Sequence, residues 1–60
     1  MNSTELKIAA TILKGCIKVR QDKVAAIEHN GGIGLDELPR LNAEVDDLKL
    51  AVAYIEELVL

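Results

Sequence analysis

The sequence predicts an all-α chain, an antiparallel two-helix hairpin of the coiled-coil type that pairs with a second copy into a dimeric four-helix bundle. Three observations predict it. Apolar residues recur three and four apart through two long segments, the signature of amphipathic helices. The two apolar seams match position for position when the chain is folded back on itself. The apolar residues left over after that pairing widen the apolar arc beyond what one partner helix covers.

The first helix is expected over about residues 3–29. Between Asn2 and His29 there is no proline and a single glycine. Asn2 or Ser3 serves as N-cap, and Glu5 follows Asn2 at the spacing of a capping-box acid. Its seam is Leu6, Ala10, Leu13, Ile17, Arg20, Val24 and Ile27, interrupted only by Arg20.

A turn over about residues 30–35 follows, in the stretch HNGGIG. It reads as a helix C-cap in which Asn30 or Gly31 takes the left-handed conformation and Ile33 folds back on the end of the first helix. The glycines do not form a phosphate cradle, because a helix precedes them and no Lys-Ser/Thr pair follows. His29, with Glu28 and Asp36 nearby, lacks the spaced partner ligands of a zinc site. Its place in the last helical turn suits the negative end of the helix dipole instead.

The second helix is expected over about residues 36–59, with Asp36 as N-cap and Pro39 in the first turn, where its missing N–H interrupts no helix bond. Its heptad seam is Leu38, Leu41, Val45, Leu48, Val52, Ile55 and Val59, apolar at every position. Reversing the chain at residues 31–33 pairs 27 with 38, 24 with 41, 20 with 45, 17 with 48, 13 with 52, 10 with 55 and 6 with 59, and every pair totals 65. A constant total is what two helices of equal rise running in opposite directions require. Charge agrees. The first helix carries five basic residues against three acidic ones, whereas seven acids lie from Asp36 onward against Arg40 and Lys49. Lys23 and Glu44 fall in the same flanking row, and Arg20 has Glu44 or a partner chain within its expected reach.

The surplus apolar residues are Ala9, Ile12, Cys16 and Val19 on the first helix and Ala51, Tyr54 and Leu58 on the second, with Leu50 and Leu60 adding to them. They form one flank near the open end of the hairpin, while Lys23, Glu37 and Glu44 occupy the corresponding row near the turn. An apolar flank of this kind marks an association site. These seven flank residues are the expected interface, Tyr54 is its expected anchor because an aromatic buries area while its hydroxyl stays wet, and Arg20 is the expected specificity residue.

Composition narrows the function classes. The lone Cys16 makes no internal disulfide, and it reads as a small hydrophobe with no activating base nearby. The apolar stretches IAATIL and LAVAYI fall far short of the roughly 20 residues that span a bilayer. The start MNSTELK lacks the pattern of a secretory signal, so a cytoplasmic location is the default expectation. The net charge of −3 disfavours nucleic acid as a partner. One Cys in the middle of the first helix and one His at its end do not converge on a substrate, and Asp46, Asp47, Glu56 and Glu57 read as solvated faces, so no enzyme, cofactor or metal is expected. The expected role is a small non-enzymatic interaction or oligomerisation module, a regulator, assembly factor or inhibitor acting by binding as a homodimer or on another protein. The alternative is a nucleic-acid-associated regulator using Lys7, Lys14 and Lys18, which stripe the first helix around Thr11.

Overall fold

The computed structural model describes residues 2–59 and folds them into α1 (Ser3–His29), a 3-10 turn (Leu35–Glu37) and α2 (Leu38–Val59). The two helices lie side by side in a rod of 44 × 14 × 14 Å. At about 1.5 Å per residue, the 27 residues of α1 run almost the whole length of that rod. Two ion pairs between the helices, Lys14–Glu56 and Arg20–Glu44, and a third from α1 to the 3-10 turn, Lys23–Glu37, fix their sense. Partner numbers fall as α1 advances, so the helices are antiparallel.

The seams lie where the heptads put them. Ala10 and Ile27 of α1 and Leu41, Val45 and Val52 of α2 are buried, and every other seam residue is half-buried, Arg20 included. The radius of gyration is 13.9 Å, against about 10 Å for a compact chain of this length. A hairpin so extended has a core one seam wide and much of its helical surface in water.

At the N-terminus Asn2 is the cap: its Oδ1 accepts a 2.8 Å hydrogen bond from the Glu5 amide. At the other end of α1, the Asn30 amide donates to the Ala26 carbonyl and Gly31 takes the left-handed conformation with φ +69°. The rest of the turn corrects two expectations. Ile33 does not fold back on α1; it is 78% exposed. Gly34 takes that place beside Ile27, with a φ of +84° that favours glycine, and a Cβ there would stand in ordinary contact 3.4 Å from Ile27 Cγ1. Asp36 is not an N-cap either. It sits inside the 3-10 turn, which starts at Gly34 with no side-chain cap, and the Glu37 amide donates to the Gly34 carbonyl at 2.9 Å. The tight 3-10 bond satisfies a donor that a side chain would otherwise have to reach, and α2 therefore begins two residues late, at Leu38, with Pro39 in its first turn.

The charge pairing also differs in detail from the register expectation. Lys23 pairs with Glu37 at 3.7 Å, not with Glu44. Arg20 reaches out of the seam to take Glu44 at 3.3 Å, and its Nη1 donates to the Cys16 carbonyl at 3.1 Å. The long guanidinium stem lets a seam residue place its charge at the seam's edge, where it remains partly solvated.

Candidate interaction surface

The flank is positioned by a simple relation to the seam. Residues 9, 12, 16 and 19 each precede a seam residue of α1 by one, and residues 51, 54 and 58 do the same on α2. One residue is a rotation of about 100°, so both stripes turn away from the seam in the same rotational sense. In an antiparallel pair that sense brings them to the same side of the hairpin. The structure leaves this side open: Ile12, Val19, Tyr54 and Leu58 are between 55% and 67% exposed, Ala51 is exposed, and Ala9 and Cys16, which lean toward the seam, are half-buried. Cys16 is a free thiol.

Two further large side chains extend the patch. Leu50 is exposed and adjoins Tyr54 at a spacing of four, the separation at which helical side chains are neighbours. Ile8 is exposed and stands in the same relation to Ile12; the sequence reading passed over it, although that spacing marks it. Leu60 lies outside the described residues. All six large hydrophobic side chains that α1 and α2 expose therefore belong to, or border, one flank. Exposed Ile33 and Leu35 belong to the turn.

The same flank changes character halfway along. From Arg20 to the turn it carries the Arg20–Glu44 and Lys23–Glu37 pairs, with Arg40 and Asp47 in the same row of α2. Apolar at the open end and charged at the turn end, it is polarised along the rod.

The opposite side of the hairpin is polar. Its rows are Lys7, Thr11, Lys14, Lys18 and Gln21 on α1 and Asn42, Asp46, Lys49, Ala53 and Glu56 on α2. An open groove of about 420 Å³ lies there between Lys7, Thr11, Lys14, Glu56 and Val59. The lysine stripe is partly neutralised: Lys14 bonds Glu56 at 2.9 Å and Lys18 lies 3.6 Å from Asp22, while the Thr11 hydroxyl is turned inward to donate to the Lys7 carbonyl. Glu56 is thus a half-buried partner of Lys14, in place of the solvated outward position expected of it.

No three His, Cys, Asp or Glu side chains among the described residues are placed to hold a metal ion together. No helix among the described residues is long and apolar enough to cross a membrane. Comparison with protein-family models, with curated proteins and with solved structures finds no match.

Proposed function

We propose that the chain is a non-enzymatic oligomerisation and protein-interaction module, and that the flank of Ala9, Ile12, Cys16, Val19, Ala51, Tyr54 and Leu58 joins two hairpins into a four-helix bundle. The observation that carries this reading is the one-sidedness of the exposed apolar surface. A helix in a hairpin needs one apolar stripe, whereas a helix in a four-helix bundle has two neighbours and needs two. Here each helix carries a second stripe one residue before the first, and nothing among the described residues covers its large side chains. Exposed apolar patches of this kind on small proteins mark association sites, and a closed two-fold pair is the commonest way to cover one.

The lysine stripe supports nucleic-acid binding less well, because two of its three charges already face carboxylates. The test is the solution mass by light scattering across micromolar concentrations, with reductant present to keep Cys16 reduced. A mass twice the 6.5 kDa of the chain is expected. A monomer throughout that range overturns self-association as the role of the flank.

A further inference from the structure

The flank also constrains how the second copy must sit. We propose that the two hairpins pair with their turns at the same end, about a two-fold axis parallel to the helices, so that α1 of each copy lies against α2 of the other. The inference rests on the self-association proposed above and adds its geometry.

Two hairpins meeting face to face through the same flank have two symmetric choices. If the turns point to opposite ends, α1 lies on the partner's α1 and α2 on the partner's α2. If the turns share one end, α1 lies on the partner's α2.

The polarity of the flank separates these choices. With opposed turns and full overlap, the half bearing Ile12, Val19, Tyr54 and Leu58 would cover the partner's half bearing Arg20, Lys23, Glu37 and Glu44. Apolar side chains would then desolvate charges without pairing them, which is unfavourable. With shared turns, apolar half meets apolar half and charged half meets charged half over the full rod.

Charge points the same way. On the flank itself α1 presents Lys23, with Arg20 at its edge, while the corresponding row of the 3-10 turn and α2 presents Glu37 and Glu44. Shared turns set Lys23 and Arg20 beside that acidic row at the turn end of the partner, whereas opposed turns set them against the partner's apolar half. Because the axis runs along the rod, each residue meets the partner at its own height, and the antiparallel register of the hairpin is repeated across the interface. Ala9 then faces the partner's Leu58, Ile12 the partner's Tyr54, Cys16 the partner's Ala51 and Lys23 the partner's Glu44. Glu44 is thereby bracketed by two basic residues, Arg20 of its own chain and the partner's Lys23, an arrangement that sets orientation more than affinity.

The test places a spin label at the tip of the turn, using Ile33→Cys in a Cys16→Ala background, and measures the label-to-label distance by pulsed dipolar spectroscopy beside the solution mass. Ile33 is the most exposed of the large hydrophobic side chains, so the label disturbs neither seam nor flank. A Cys16→Val background run in parallel keeps the site filled should the smaller residue loosen pairing. Shared turns predict a dimer mass and labels within about 20 Å, given interhelical spacings of about 8–10 Å. A dimer whose labels stand at the 44 Å length of the rod or beyond overturns the shared-turn geometry and leaves self-association standing. A monomer mass with no dipolar signal in either background overturns both.

Discussion

Gly15→Ala is predicted to stabilise the protein. Gly15 lies near the midpoint of the 27-residue α1, is exposed, and has no positive φ. A Cβ built on it meets no neighbouring atom within 4 Å. Neither the turn nor the seam uses its freedom, so it contributes only the entropy that a helical glycine loses on folding. Replacing it by Ala recovers about 0.8–1.0 kcal/mol per chain. With an unfolding entropy of about 2.1 cal/mol/K per residue over 60 residues, that corresponds to a rise in Tm of about 6–8 °C. The assay is thermal unfolding followed by far-ultraviolet circular dichroism, with both proteins at one chain concentration because the proposed association would make Tm concentration-dependent. The site lies outside the proposed interface: Gly15 is two residues before the seam position Ile17, further round α1 than the flank. An unchanged or lowered Tm would refute the reasoning, since it would mean that another backbone lies over Gly15 in the assembled protein.

Other substitutions probe the remaining parts of the fold. Asn2→Ala removes the acceptor of the 2.8 Å bond from the Glu5 amide and should destabilise the first turn by about 1 kcal/mol; hydrogen exchange at the Glu5 amide should speed up accordingly. Val45→Ala, at one of the most buried seam positions, should destabilise by about 2 kcal/mol in denaturant titration. Arg20→Leu should stabilise the seam by about 1 kcal/mol, since its side chain is 34% exposed and its ion pair with Glu44 is worth little there; sedimentation of the same variant should show mixed oligomers if Arg20 sets partner choice, and one unchanged species if it does not. Dilution below the pairing range should speed amide exchange around Leu6 and Ile55 before it does so around Val24 and Leu41, measured by mass spectrometry of exchanged fragments.

The helices and their register were legible because heptad spacing is a direct image of helix geometry. A regular α2 seam and a matching α1 seam leave one antiparallel alignment, and the buried residues Ala10, Ile27, Leu41, Val45 and Val52 all fall on it. The turn was legible only in part. Three glycines announce a reversal, but which of them faces Ile27 depends on the positive φ angles of Gly31, Gly32 and Gly34 acting in succession, and these turn Ile33 out to solvent. Charge partners were harder still. Lys23 has both Glu37 and Glu44 in its row; Arg20 takes Glu44 and Lys23 takes Glu37, a division that pairwise spacing does not express. Ile8 was missed because it lies two residues from the seam and joins the patch only through Ile12.

The division of the flank into an apolar and a charged half has a physical sense in a chain of this shape. At the turn end the loop joins the helices covalently, so the effective concentration of one helix for the other is high and little further attraction is needed to keep them together. The ion pairs Arg20–Glu44 and Lys23–Glu37 sit there, where weak solvated interactions suffice to hold alignment. At the other end no loop joins the described helices, and a helix end without such a link is the part most open to local opening, here around the seam pairs 10 with 55 and 6 with 59. That is where Ile12, Tyr54 and Leu58 present their apolar area. In the proposed pair, a second hairpin covering this area would stabilise the end of each hairpin that the turn does not join, so that pairing and completion of the fold would be one event.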